Sequence, residues 1–265
     1  MAAIPESPLT GQDFASQAGH WYTRAGAPAY TMTGKNGKER AVTLRDARTL
    51  GLLPSVSTIL RLEAKPALER WKIEQACLAC MTLPRLPGED DSAFMARALK
   101  DSQEQSRKAA ERGTYIHGLI ERSIPQGRCL WGDERDRAIV DAVLLRLTTL
   151  FPLYDWNPER SFASDKFGGK IDLHGIAGDE AVVIDFKTKS KMDPEKTLAY
   201  DEHCAQLAAY AYGLGAPIAR CVNFFVDTDR PGLIVVHEWS TPERDKGWMA
   251  FGHLLNLWYC RKDLQ

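Results

Sequence analysis

Long apolar runs and an excess of one charge sign are both missing from this chain. No stretch approaches the roughly 20 consecutive apolar residues that a membrane-spanning helix needs, so we expect no membrane partner. The first residues lack a positively charged segment followed by an apolar run, the pattern of a secretory signal. We therefore expect a cytoplasmic protein.

The spacing of the cysteines argues against a metal cluster. Of the six cysteines, only Cys77 and Cys80 are close together in sequence. Zinc sites and iron–sulfur clusters usually take four ligands, often as two close pairs. Because the second pair is missing, the sequence predicts free or buried thiols and no iron–sulfur cluster.

The formal net charge of −1 excludes a protein that is basic as a whole. Any affinity for nucleic acid must then come from a local patch. The best candidate is the run containing Lys187, Lys189 and Lys191, with Lys166 and Lys170 just upstream. No Walker loop is present, so we expect no ATP-driven unwinding by this chain.

The order of local patterns divides the chain into three regions that form one compact unit. Residues 1–65 read as a polar arm to about residue 20, then a hairpin around Gly34–Lys38 and a short strand or capped helix at Val56–Leu60. Residues 66–150 show helical spacing throughout. We expect the following helices there, with Gly113 interrupting the second pattern: Ala67–Met81, Asp91–Glu111, Thr114–Ser123 and Arg135–Leu150.

Residues 151–265 alternate between strand and helix patterns. Gly178 and Asp179 form a hairpin-turn signal between two strands. The predicted elements are strands at Lys170–Ile176 and Ala181–Lys187, a helix from Asp193 to about Leu214, strands at Ile218–Val226 and Leu233–Trp239, and a helix from Thr241 to about Arg261. The whole chain is predicted to be α+β, with a small sheet flanked by helices.

The predicted hairpin brings acidic residues together. With Gly178 and Asp179 as the turn, Asp172 lies opposite Asp185 and Lys170 lies opposite Lys187. Side chains alternate along a strand, so Asp185 and Lys187 share one face, opposite the apolar Ile184 and Phe186. The charged face is then either displayed for a purpose or simply exposed.

Two carboxylates that face each other across a hairpin repel unless a cation lies between them. A divalent metal suits oxygen ligands, and a nearby lysine can orient or deprotonate a water molecule on it. Together these groups could hydrolyse a phosphodiester bond. From the hairpin alone, an exposed surface with accidental acidic residues explains the pattern equally well.

Two helical pairs add to the pattern. His117 and Glu121 lie four residues apart and share a helix face, as do Gln206 and Tyr210. Taken singly, such a pair is more often a surface hydrogen bond than part of a site.

In combination, these motifs resemble the RecB-like branch of the PD-(D/E)XK nucleases. The shared pattern is Gly-Thr-x-x-His-x-x-x-Glu at 113–121, Gly-Gly-x-Ile-Asp at 168–172, Ile-Asp-Phe-Lys-Thr at 184–188 and Gln-x-x-x-Tyr at 206–210. Leu-Pro-Ser-Val-Ser-Thr-Ile-Leu at 53–60, followed by Leu68 and Trp71, resembles a narrower group. That group includes phage exonucleases and the mitochondrial genome maintenance exonuclease. Residues 211–265 match only in their predicted elements.

The resemblance implies a restriction-endonuclease-like core with a small mixed sheet, plus an N-terminal helical extension. It also implies a metal-dependent DNA exonuclease that favours single-stranded ends, acting in recombination, repair or replication in a bacterial or phage-infected cell. An annealing protein or a helicase is a possible partner. Two alternatives are a toroidal exonuclease that resects duplex ends and a catalytically silent DNA-binding module. The sequence leaves RNA open as a substrate.

The resemblance also assigns roles to single residues. A Mg²⁺ ion, for which Mn²⁺ can substitute, is expected on Asp172, Asp185, the carbonyl of Phe186 and His117. Lys187 is expected to position the attacking water, with Glu121 as a further carboxylate and Gln206 steadying the lysine. The expected DNA contacts are Thr114, Thr188, Lys189, Lys191 and Tyr210. Whether Glu159 joins the site stays open, and His174 is interpreted as structural.

Overall fold

The computed structural model describes residues 19–196 and 198–262, so the predicted polar arm falls almost entirely outside the described residues. The fold is α+β, as the sequence predicts, with a five-stranded sheet and helices on both of its faces. Within these described ranges, the structure contains no helix that is both long and apolar enough to cross a membrane.

The N-terminal region folds into short elements. They are strands β1 (Trp21–Tyr22), β2 (Thr31–Thr33) and β3 (Glu39–Ala41), helix α1 (Leu44–Leu50), strand β4 (Leu53–Pro54) and helix α2 (Val56–Leu60). The predicted hairpin is confirmed, because β2 and β3 pair in antiparallel fashion. Of the two options for residues 56–60, the capped helix is correct: the Ser55 side chain accepts a hydrogen bond from the amide of Thr58.

Three helices follow: α3 (Pro66–Thr82), α4 (Asp91–Ser123) and α5 (Glu134–Leu150). Asp90 and Asp133 cap the N-termini of α4 and α5 through their side chains. The expected break at Gly113 is wrong, because α4 runs through it without interruption for 33 residues. Gly113 serves packing instead: a Cβ atom built there would lie 2.6 Å from Oγ1 of Thr188 on a neighbouring strand.

The large sheet has the order β5-β6-β7-β8-β9. Its strands are β5 (Asp155–Ala163), β6 (Gly168–Ala177), β7 (Glu180–Lys189), β8 (Arg220–Asp227) and β9 (Ile234–Trp239). β7 and β8 pair in parallel, while the other neighbours are antiparallel, so the sheet is mixed. The predicted register of the β6–β7 hairpin is confirmed from Ala177–Glu180 to Leu173–Ile184.

Helix α6 spans Asp201–Gly213 and α7 spans Thr241–Lys262. The prediction that a helix begins at Asp193 is wrong by eight residues. The side chain of Asp193 accepts a hydrogen bond from the amide of Glu195 at 3.1 Å, which stabilises a local turn. Such short-range bonds from aspartate compete with helix formation.

Apolar side chains on both faces of the sheet form two core layers. One layer packs α2, α6, α7 and the N-terminal elements against the sheet, and includes Trp21, Ile171, Val183 and Trp258. The other packs α5 and the last turns of α4 against the opposite face, and includes Ile116, Ile184, Phe186 and Phe224. Both faces of the central strands are therefore covered.

The contact at Gly113 yields a test on stability. Gly113→Ala should destabilise the protein, because the new methyl group collides with Thr188, although alanine favours a helix by about 1 kcal/mol over glycine. Gly118→Ala in the same helix is the matched control. A Cβ atom there meets nothing within 4 Å, so this variant should gain stability. Urea unfolding measures both, and equal effects would contradict the packing role.

Candidate active site

Asp185 and Lys187 form a charged pair on β7. Nζ of Lys187 lies 2.9 Å from each carboxylate oxygen of Asp185. Contrary to the possibility of a merely exposed face, Asp185 is only 3 % exposed. It lies on the side of the sheet that helix α6 covers. The carboxylate therefore contacts buried polar side chains rather than solvent.

The lysine is held from a second direction by α6. Nζ of Lys187 donates to Oε1 of Gln206 at 3.0 Å, and Nε2 of Gln206 donates to the hydroxyl of Tyr210 at 2.9 Å. This contact agrees with the expected steadying of the lysine. Tyr210, however, is only 6 % exposed and packs against Phe162, so its ring has no free face for a base. In this position Tyr210 supports Gln206, and its expected contact with DNA stays a prediction.

β6 and β7 separate where the carboxylates meet. The backbone ladder stops at Leu173–Ile184, and the expected pairing of Asp172 with Asp185 is not part of it. Instead, the amide of Phe186 donates to Oδ2 of Asp172 at 2.9 Å. Nδ1 of His117 lies 3.6 Å from the same oxygen, so helix α4 brings its histidine to the gap between the strands.

A row of polar residues follows the strand register across the sheet. Asp185 pairs with Asn223 on β8, and Asn223 pairs with His237 on β9. On the other side, the β6–β7 ladder ends before Asp172 and Asp185, and the β5–β6 ladder skips Glu159 and Asp172. Glu159 has φ 53, uncommon for a residue other than glycine, and its carboxylate forms an ion pair with Lys170.

Asn223 is the functional candidate that sequence reasoning missed. It is fully buried, and its side chain contacts Asp185 and Trp239. The signal in the sequence is an amide inside the apolar strand Arg-Cys-Val-Asn-Phe-Phe-Val-Asp. Recognising its partner required the parallel register of β7 and β8, which no short motif specifies.

A cavity of about 640 Å³ opens beside this row. Its walls come from α4, β5, β6 and β7, and they carry both acidic and basic side chains. The lining residues are Ala109, Ala110, Gly113, Thr114, His117, Gly118, Glu121, Glu159, Lys170, Phe186, Lys187 and Thr188. The expected site residues Thr114, His117, Glu121, Lys187 and Thr188 therefore meet in one cavity, and Glu159 joins them.

Lys187 also borders a smaller opening on its other side. This opening, of about 360 Å³, is lined by residues of α2 and α6, including Gln206, and by Arg61 and Lys65 from the segment between α2 and α3. A third groove, of about 590 Å³, shares Ala109 and Thr188 with the large cavity and adds Trp71, Lys108 and Lys189. The ammonium group of Lys189 lies 5.7 Å from the Tyr200 ring centre.

Lys191 lies in the next cavity along the surface. It lines this cavity together with Met192 and Asp229, and Asp229 also lines the third groove. The expected DNA contact of Lys191, like those of Thr188 and Lys189, stays a prediction.

His174 has a structural role, as interpreted from the sequence. It is 3 % exposed, and its Nδ1 lies 2.9 Å from a guanidinium nitrogen of Arg160. Burial, together with the smaller effect of the positive charge of Arg160, lowers the pKa of His174 to about 4. The imidazole is therefore neutral at physiological pH and accepts the hydrogen bond.

The buried pair has a clear protonation preference at the lysine. Burial favours the neutral amine, but the charges of Asp185 and Asp172 outweigh it and raise the pKa of Lys187. Burial raises the pKa of Asp185, and Lys187 opposes that rise. Because Lys187 stays protonated, it is suited to donate hydrogen bonds to a water molecule or a phosphate oxygen.

The oxygen atoms where β6 and β7 separate suit a hard cation that also binds substrate. Among residues 19–196 and 198–262, no three His, Cys, Asp or Glu side chains are placed to hold a metal together. Mg²⁺ commonly binds through one or two carboxylates, with water and substrate phosphate completing its shell. Asp172 and Asp185 could supply the carboxylates of that pattern, and the amide of Phe186, the residue after Asp185, bonds directly to Oδ2 of Asp172.

Comparisons with known proteins identify no family. No protein-family model matches this sequence, and no curated protein matches it. The crystal structure of SSO0001 is similar over 72% of this chain and 87% of that one, with 14% sequence identity and a TM-score of 0.30. At this level the similarity identifies neither a family nor a function.

From the sequence alone, relief of carboxylate repulsion predicts that Asp185→Ala matches or exceeds the wild type in stability without metal. The structure shows that the substitution also removes the partner of Lys187. We therefore expect it to lower the free energy of unfolding by about 2 kcal/mol in EDTA. A double-mutant cycle with Lys187→Met, measured by urea unfolding, isolates the pair. A coupling near zero would contradict this account.

The shifted histidine predicts a pH dependence of stability. An unfolded histidine titrates near 6.5, whereas His174 titrates at about 4 in the fold. Between these values the unfolded chain binds more protons, so stability falls as the pH falls from about 6.5 to about 4. His174→Asn, which keeps an acceptor for Arg160, should flatten this slope in melting curves. The exposed His253→Asn is the control, and equal slopes in both variants would refute the prediction.

Proposed function

We propose that this chain is a Mg²⁺-dependent nuclease of the PD-(D/E)XK superfamily that degrades DNA from single-stranded ends. The observation that carries the proposal is the double support of Lys187 by Asp185 and Gln206, at the mouth of a cavity that also receives His117. A lysine fixed beside paired carboxylates is unusual on a covered sheet unless it serves chemistry.

Each residue of the candidate site has a defined task in this proposal. Lys187 donates hydrogen bonds that orient the attacking water and the phosphate oxygen. Asp172 and Asp185 supply carboxylate oxygens, and Gln206 holds the ammonium group of Lys187 through its amide oxygen. A Mg²⁺ ion held by those carboxylates and the Phe186 carbonyl would supply positive charge against the charge that develops on the phosphate.

His117 and Glu121 act from helix α4. Nδ1 of His117 lies 3.6 Å from Oδ2 of Asp172, so His117 would be a further ligand to a Mg²⁺ ion held by that carboxylate. An imidazole ligand favours Mn²⁺ more than Mg²⁺, so we expect Mn²⁺ to support cleavage. Glu121 lines the same cavity one helical turn further on and is placed to accept hydrogen bonds from bound water.

The adjoining groove supports a single strand as substrate. It continues from the cavity along Thr188 and offers the Trp71 ring with two lysines, Lys108 and Lys189. Aromatic rings stack on unpaired bases of any sequence, and lysines follow the phosphates. Binding should therefore weaken as salt rises. Two other aromatic side chains, Tyr115 and Trp131, do not line this groove.

Closed-circular and linear single-stranded DNA of the same sequence test the proposal. Linear strands should be degraded with Mg²⁺ and left intact with EDTA, while circles should resist cleavage because they offer no end. Lys187→Ala should lower the rate at least about 100-fold. The exposed Lys246→Ala is the charge-matched control.

The outcomes separate the alternatives. Circles cleaved as fast as linear strands would indicate an endonuclease. Binding without cleavage at any Mg²⁺ or Mn²⁺ concentration would indicate a DNA-binding module without catalysis. A linear RNA strand tested in parallel decides whether the substrate is DNA alone.

A further inference from the structure

Asn223 contacts the carboxylate of Asp185 from the neighbouring strand. The two residues are register partners on the parallel strands β7 and β8, and Asn223 has no exposed surface. Its Nδ2 donates to Oδ2 of Asp185 at 2.9 Å and lies 3.4 Å from the main-chain oxygen of the same residue. The side-chain amide of Asn223 therefore contacts both the backbone and the side chain of Asp185.

Trp239 determines which way this amide faces. Nε1 of Trp239 donates to Oδ1 of Asn223 at 2.8 Å. An indole N–H can only donate, so the oxygen of the amide must face Trp239 and the NH₂ group must face Asp185. The reversed amide would place its NH₂ group against the indole N–H and its oxygen against the carboxylate. Inside the sheet, neither unfavourable contact has water to relieve it.

We propose that Asn223, oriented by Trp239, is a positioning residue that fixes the carboxylate of Asp185 for metal binding and catalysis. It acts only through Asp185 and does not reach the cavity lining. This inference rests on the proposed nuclease function. Outer partners that orient a metal ligand typically change metal affinity or activity by about 10- to 100-fold when they are removed.

A pair of tryptophan variants tests the proposal with matched packing effects. Trp239→Phe removes the indole N–H that orients Asn223. Trp21→Phe is the control, because Trp21 lies in the same core layer and its buried Nε1 has no partner among the described residues. The two rings are similarly buried, at 8 % and 2 % exposure, so the loss of packing is comparable.

Four quantities are measured for each full-length variant. Calorimetry without DNA gives the Mn²⁺ dissociation constant, and cleavage of linear single-stranded DNA gives the Mg²⁺ concentration for half-maximal activity, kcat and KM. Trp239→Phe and Asn223→Ala should weaken Mn²⁺ binding about 10-fold or more and lower kcat with little change in KM. Trp21→Phe should keep the wild-type metal affinity and kcat.

The results distinguish failure of this inference from failure of the proposed function. If the wild type binds Mn²⁺ and cleaves DNA, while Asn223→Ala and Trp239→Phe match Trp21→Phe in metal affinity and kcat, the positioning role is wrong and the nuclease stands. If the wild type neither binds Mn²⁺ nor cleaves DNA, both are wrong. Should Asn223→Ala fail to fold, Trp239→Phe alone decides, because it leaves the asparagine in place.

Discussion

The burial of an ionisable carboxylate in a sheet that is covered on both faces determines how the candidate site is built. Asp185 lies between core layers and has almost no contact with solvent. A buried charge is tolerated only when its oxygens are paired. The surrounding polar groups meet this requirement: Lys187 and Asn223 bind the carboxylate, and Gln206 and Trp239 in turn hold those two side chains.

The separation of β6 and β7 connects the two faces of the sheet. His117 belongs to a helix on one face, whereas Gln206 belongs to a helix on the other. In a continuous ladder the backbone would keep them apart. Because Asp172 bonds to the Phe186 amide through its side chain, the strands diverge there and side chains from both faces meet at one gap.

The sequence predicted most of what depends on short-range patterns. The hairpin register followed from the turn at Gly178 and Asp179, and the helical spacing of His117 and Glu121 placed both in one cavity. Contacts between elements distant in sequence were not predictable. The burial of Asp185 depends on helix α6, and the role of Gly113 depends on its approach to Thr188. The helical periodicity therefore predicted a break in the helix at Gly113, whereas this glycine marks a close contact between the helix and Thr188.

Helix α4 joins the candidate site to the region that packs on α3. Its 33 residues span about 50 Å, with roughly 33 Å from Asp91 to Gly113 and only about 6 Å from there to His117. The close contact of Gly113 with Thr188 therefore lies about one helical turn from the histidine and far from the N-terminal end of the helix. A side chain added at Gly113 would displace the helix next to His117, so this glycine determines how near the imidazole can come to Asp172.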